Sequence, residues 1–493
     1  MKHCTVIIGV LFLMVLNSSC GKGYGSSSGS GSGGGSGVTA SITNSVTTLQ
    51  AGASYTFTAT TPSSYGYTAG ISWTISPATG AGTLSTASNS GYSSSVTYQA
   101  PTAPPSPNSV TITATPSDTA VGTATDTFTI SASSMSTLNG QFAIQFSGFD
   151  ASGETLGAVG SVKMDGAGNI TAGSIDLNQN HAPSVRIVGV TGAYTLDSDM
   201  HGTISLAAAM PGSDRPLAFS FALAADALSG VITGSEVNGV AISGRLLRQD
   251  SSAFAAEKIS GDFAFKLESN SADCLATDGK LAIESNSILS GIADSSESGI
   301  GPIFTSAQVS GRITAPPDAT GRGTFTLATP AKNSPFVFYV VSESRLLLME
   351  TASATTHTRQ LGVAQRQTMP FAPSTANASS AFRASGFDLR ASVLGPVSVT
   401  GTLAIENFTH ASLAWDASSA GITLPHLSLR SDAVTFDPST GRGTINIANG
   451  FANNFADSVA FYLASPGEGF LVDTTAGSSN RGIAGDLDSL PSQ

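Results

Sequence analysis

The chain has 493 residues, of which 11% are charged, with 21 Lys plus Arg against 33 Asp plus Glu and a formal charge of −12. An acidic, charge-poor chain presents no basic face to neutralise phosphates, which argues against a nucleic-acid partner. An apolar content of 40% with 24 Phe rules out wholesale disorder, and 54 Gly favour short strands joined by tight turns over long helices.

The N-terminus reads as an export signal. Met1-Lys2-His3 carries positive charge, and Val6 to Leu16 is an apolar run too short to span a bilayer as a helix. Asn17-Ser18-Ser19-Cys20-Gly21 follows. Small residues just before a cysteine resemble the lipobox of bacterial lipoproteins, although Asn17 stands where that family prefers Leu. The resemblance implies that Cys20 is diacylated and becomes the first residue of the mature chain. Gly21 to Gly37 is a Gly/Ser coil whose reach is roughly 20–25 Å, a tether between membrane and folded domain. Its matches to G-x-S-x-G and G-x-G-x-x-G lie at no strand-to-helix turn and carry no chemistry. Once Cys4 leaves with the signal and Cys20 takes lipid, Cys274 remains alone, so stability must come from core burial.

From Val38 to Ser133 the chain is rich in Thr, Ser and Val with period-two alternation. The expected strands are 38–44, 54–60, 70–76, 82–86, 93–99, 109–115 and 123–132. Seven short strands around a single Trp73 fit an immunoglobulin-like sandwich. Ile71-Ser72-Trp73-Thr74-Ile75-Ser76-Pro77, Val96-Thr97-Tyr98 and Val110-Thr111-Ile112 resemble the Ig-like domains of bacterial surface proteins. That resemblance implies a stalk or adhesive module and no catalytic activity.

The rest of the chain contains a threefold repeat. Gly160-Ser161-Val162-Lys163-Met164, Gly279-Lys280-Leu281-Ala282-Ile283 and Gly401-Thr402-Leu403-Ala404-Ile405 correspond. So do His201-Gly202-Thr203, Arg322-Gly323-Thr324 and Arg442-Gly443-Thr444. Each unit holds about eight alternating runs, in the first near 140–148, 158–165, 168–177, 187–195, 201–208, 216–224, 227–233 and 238–248. Alternation marks a sheet with one buried face, and meandering strands remove exposed edges by closing into a barrel. The opening Gly-x-Phe of Gly140-Gln141-Phe142 and the strand count are similar to the calycin barrels. The fold class expected is therefore all-β: signal 1–19, tether 20–37, Ig-like domain 38–133, and barrel-like repeats 138–250, 259–367 and 379–487. Linkers near 250–258 and 367–379 read as segments with few contacts.

Catalytic chemistry is scarce. The histidines His181, His201, His357, His410 and His426 stand apart, with no metal-ligand spacing, and no motif calls for a cofactor. Asp165-Gly166-Ala167-Gly168-Asn169 reads as a hairpin turn in preference to a calcium loop, and Trp415-Asp416 as strand residue and turn in preference to a sugar platform. Arg322 and Arg442 are the candidate contacts to an anionic ligand, because guanidinium suits carboxylates and phosphates; the alternative is an exposed turn before a strand. The resulting expectation is a non-enzymatic envelope lipoprotein, exported and anchored by lipid to the outer membrane or cell surface. Its partners would be the membrane and an envelope polysaccharide or protein. Two other functions stay open, binding of a small apolar ligand inside the barrels and carbohydrate-active catalysis.

Overall fold

A computed structural model describes residues 38–490 apart from short internal segments, the longest being 63–69, 210–215, 235–240, 352–359, 372–378, 389–394 and 447–457. Cys20 and Cys274 lie outside the described residues. The class is all-β, as the alternation predicts. The chain divides into two compact units, 1–131 and 132–493.

In the first unit, Thr48–Gln50, Ala124–Ser131, Ser109–Pro116 and Ile71–Ser76 form one sheet. Ser41–Ile42, Ser54–Thr60, Ser93–Gln99 and Thr83–Leu84 form the other. Inward-facing side chains of both meet in one core that includes Leu49, Phe57, Val96, Tyr98, Ile112 and Phe128. Phe57 and Phe128 stack with centroids 5.5 Å apart, which pins the two sheets together. The opposite faces carry the threonines and serines, paired by hydroxyl bonds such as Thr56–Thr97 and Thr111–Thr127. Every expected strand is present, and the short strands Thr48–Gln50, Ser88–Ser90 and Val121–Gly122 are additions too brief for alternation to signal.

The second unit contains the three repeats. In the first, eight strands close a ring in which Thr155–Asp165 pairs on one side with Asn139–Phe149 and on the other with Asn169–Gln179. A ninth strand, Val185–Val188, lies outside the ring on Asn169–Gln179. The expected run 187–195 is thus two strands, broken at Gly189 with its φ of +67°. The second repeat is a closed barrel of eight strands, from Gly261–Ser269 to Gln360–Arg366. The third departs from expectation. Its nine strands form a sheet whose edges, Ile422–Ser431 and Val434–Asp437, are not paired with each other among the described residues.

The interior of the second barrel is packed at one end and hollow at the other. At one end Phe263, Phe325, Phe338, Leu281, Leu346 and their neighbours leave only about 20 Å³, room for about one water, and at the other Leu267, Thr277, Phe304, Leu327, Phe336 and Gln360 line a cavity of about 160 Å³. The packed end has no room for an apolar ligand. All three repeats share one packing detail behind this. Gly202, Gly323 and Gly443 each have a phenylalanine ring of the neighbouring strand (Phe221, Phe338 and Phe461) where a Cβ would stand.

The linkers are not loose. Residues 251–259 form two short 3-10 turns that bury Ala253 and Ile259, and Phe371 of the second linker is 3% exposed in the third repeat's core. Gln249 and Gln367 each end a repeat by donating to two backbone carbonyls of the next. Gln249 reaches Thr320 and Val340, and Gln367 reaches Thr440 and Leu463. Gly321 and Gly441, with φ of +75° and +71°, leave room for these amides and for the rings of Phe254 and Phe371. Among the described residues the linkers depart from the expectation of few contacts, because their aromatic and amide side chains plug into the following repeat.

Candidate functional site

Alternation places one set of side chains inside each barrel and the other outside, and chemistry gathers where two outside faces meet. Asp176, on the strand Asn169–Gln179, is 4% exposed. Its carboxylate accepts from Arg322 Nε at 2.7 Å and Nη2 at 2.8 Å, and from the Tyr339 hydroxyl at 2.8 Å. Asp294, fully buried on the strand Ile288–Glu297, accepts from Arg442 Nε and Nη2 at 2.8 Å each and from the Tyr462 hydroxyl at 2.5 Å. One repeat thus gives an aspartate and the next gives an arginine and a tyrosine on adjacent, directly paired strands.

Electrostatics follow from burial. Burial and the nearby Asp294 charge push the Tyr462 hydroxyl up, and Tyr339 rises for the same two causes beside Asp176. Hydrogen bonds to Asp176 and Asp294 raise Arg322 and Arg442. Around the clasps lies an apolar seam that includes Ala143, Val159, Val337, Leu347, Tyr462 and Phe470. Arg322 and Arg442 therefore occupy inter-repeat clasps. Their side chains are 16% and 18% exposed, and the forked donors are committed to aspartates, not presented to a ligand or to solvent.

Beside the second clasp is a cluster of charges. Lys266 is 8% exposed at its side chain, binds Asp486 at 2.8 Å and lies 3.3 Å from Glu268. Arg383 meets Asp486 at 3.2 Å. Burial works against the charge on Lys266, but Glu268 and Asp486 outweigh it and raise the group. Asp278 is fully buried in the same cluster, and neither of its oxygens has a hydrogen-bond partner among the described residues. Burial pushes its carboxyl well above the ordinary range. Lys266 opposes that shift, while Glu268, Asp486 and Asp294 add to it.

Because burial raises Asp278 above its unfolded value of 3.8, the folded chain is expected to keep its proton to higher pH than the unfolded chain does. Where the folded state binds more protons, stability falls as pH rises. Asp278→Asn removes that dependence. Its thermal midpoint is expected to exceed that of the wild type by a margin that widens between about pH 4 and about pH 8. A margin constant across that window, in parallel melts of both proteins, would show that Asp278 is not protonated by the fold.

The remaining sequence candidates are placed as follows. Asp165 caps its own hairpin, accepting from the backbone of Ala167 and Asn169 at 2.7 and 2.9 Å. Trp415 is buried in the third repeat's core, and Asp416 is exposed on the same strand. His201 is exposed, with Nδ1 3.4 Å from Asp199. Sequence reasoning missed Asp176, Asp294, Tyr339 and Tyr462. The signal lay in their offsets of 118 and 123 residues, close to those of the arginines between them.

The second unit also carries a cleft of about 730 Å³ at the junction of its three repeats. Arg245 of the first repeat, Lys266 and Glu268 of the second and Arg383 of the third border it.

No family model matches the chain, and no curated protein does. Three solved structures are similar over long stretches. Transferrin binding protein B from Neisseria meningitidis serogroup B is 8% identical, with 71% of this chain and 76% of that one covered at a TM-score of 0.19. Domains 4–9 of the surface layer protein SbsC are 10% identical, with 92% and 82% covered at 0.17. A protein of unknown function of the DUF3598 family from Nostoc punctiforme is 12% identical, with 47% and 97% covered at 0.15. Scores this low mark no shared global arrangement.

Proposed function

We propose that the chain is a non-enzymatic interaction and structural module of the bacterial cell envelope, held to the membrane by lipid on Cys20. An N-terminal Ig-like domain would project from the Gly/Ser tether, followed by one welded body of three β-repeats. The observation that carries this reading is the recurring clasp. Two buried arginine–aspartate–tyrosine sets at matching positions turn three repeats into a single block, the property a load-bearing or presenting module needs. The threonine- and serine-rich outer faces of the first unit suit an exported chain that stays soluble with few charges.

The test is expression in a lipoprotein-processing bacterium with a palmitate analogue, comparing wild type with Cys20→Ala. Wild type is expected to be labelled, to pellet with membranes and to be digested by protease added to intact cells, whereas the variant is unlabelled and released or unprocessed. One acyl chain binds reversibly and two or three anchor firmly, since each buried methylene contributes roughly 0.8 kcal/mol. A soluble, unlabelled wild type would refute the anchor. Covalent capture of residues 134–493 by a fluorophosphonate probe would refute the non-enzymatic reading.

A further inference from the structure

Arg245 stands on the strand Ala241–Arg248, directly opposite Val231 of the strand Ser229–Gly234, and borders the three-repeat cleft. No carboxylate lies within ion-pair distance of its guanidinium among the described residues. Of the nearby acids, Asp486 is shared by Lys266 and Arg383, and Glu268 lies 3.3 Å from Lys266 with no hydrogen-bond donor on its Oε1 among the described residues. Arg345, on the second repeat, adds like charge at longer range, and Arg383 does the same from the third. The cleft is thus bordered by three cations, Arg245, Lys266 and Arg383, and one acid, Glu268, with Asp486 bound to Lys266 and Arg383 and with Arg345 at longer range. This happens in a chain whose acids outnumber its bases by 33 to 21.

A half-buried guanidinium with no direct ion pair is costly to hold: desolvation disfavours the charge, and the longer-range attraction of Asp486 and Glu268 does not outweigh desolvation together with the repulsion of Arg345 and Arg383. Five donors in a planar fork remain to be satisfied, a geometry that fits one carboxylate side-on. Cations outnumber acids around the cleft, which favours an anionic ligand. Beside the guanidinium, Val231 is 63% exposed, and Leu361 and Val363 continue the apolar wall. A cleft of this volume is within the range of small-molecule sites, roughly 300–1,000 Å³.

We propose that this cleft binds a carboxylate attached to a short hydrocarbon, with Arg245 taking the carboxylate and Val231 and Leu361 covering the chain. The site requires the assembled second unit, because its walls come from all three repeats.

Octanoate is the probe, titrated calorimetrically into the full mature chain at low salt, with the uncharged octyl glucoside as control. Saturable one-site binding of octanoate is expected, with none of octyl glucoside. Arg245→Gln should weaken octanoate at least about tenfold, and Arg245→Lys should weaken it less, since charge remains but the fork is lost. Without ligand, Arg245→Gln should melt at or above the wild-type temperature, because removing an uncompensated charge relieves the fold. Equal binding of octyl glucoside, unchanged binding by Arg245→Gln, or no saturable binding by the wild type would each overturn the assignment. A lowered melting point for ligand-free Arg245→Gln would do the same by making the guanidinium a structural group.

Discussion

Asp294→Ala is expected to destabilise the second unit by about 3–5 kcal/mol, the cost typical of breaking one side of a buried ion pair. Asp294 has no exposed surface, and its loss strands a guanidinium with 18% exposure and a hydroxyl that donates to nothing else. An exposed pair such as Lys258–Glu343, half exposed on both sides, should cost far less when cut, within about 1 kcal/mol. The chain has two tryptophans, and Trp415 sits in the third repeat's core, so Trp73→Phe leaves fluorescence that reports the unit carrying the clasp. Urea titration of that background with and without Asp294→Ala gives the difference. Replacing both partners by apolar residues, Asp294→Leu with Arg442→Met, should recover most of the loss, because the penalty lies in the orphaned charge. If the single and double variants unfold alike, or Asp294→Ala costs no more than the surface pair, the clasp is not what joins the repeats.

Gly443→Ala should cost about 1–3 kcal/mol, a large effect for one methyl group. The added Cβ falls on the Phe461 ring, which is fully buried and stacked within 6.0 Å of Phe436. The ring is held on its other side by the stacked Phe436 and the strand by its ladder to Ser458–Ser465, so neither retreats without cost. Phe461→Leu in the same chain should relieve the clash and return part of the stability, read as the thermal midpoint by Trp415 fluorescence. Additive losses in the double variant would mean that Gly443 is required by its backbone and not by the ring above it.

The strands and the repeat were legible because alternation and common offsets are local signals. Val162 and Met164 point inward in the first repeat as Leu281 and Ile283 do in the second and Leu403 and Ile405 in the third. Arg322 and Arg442 stood out by recurrence, yet their partners did not. An aspartate at an outward position of a strand reads as solvated, and nothing local says that the next repeat will cover it. The linkers misled for a related reason. Pro, Ala and Ser set the composition of 367–379, while the single Phe371 sets where it goes. The open edge of the third sheet and the charge cluster at Asp278 depend on contacts between distant segments, which no window of sequence contains.

The clasp has a direction, with acid on one repeat and base plus phenol on its successor. Contacts of this head-to-tail kind have no intrinsic end, and identical units joined by them grow into fibres unless something terminates growth. The leading repeat carries the terminator. Where its successors have Arg322 and Tyr339 or Arg442 and Tyr462, it has His201 and Ala222, facing each other across the same strand pair. Two substitutions thus mark where the array begins, and a copy of this chain has no fork to offer the aspartate of another. The grammar that welds the repeats into one body thus marks its own first word.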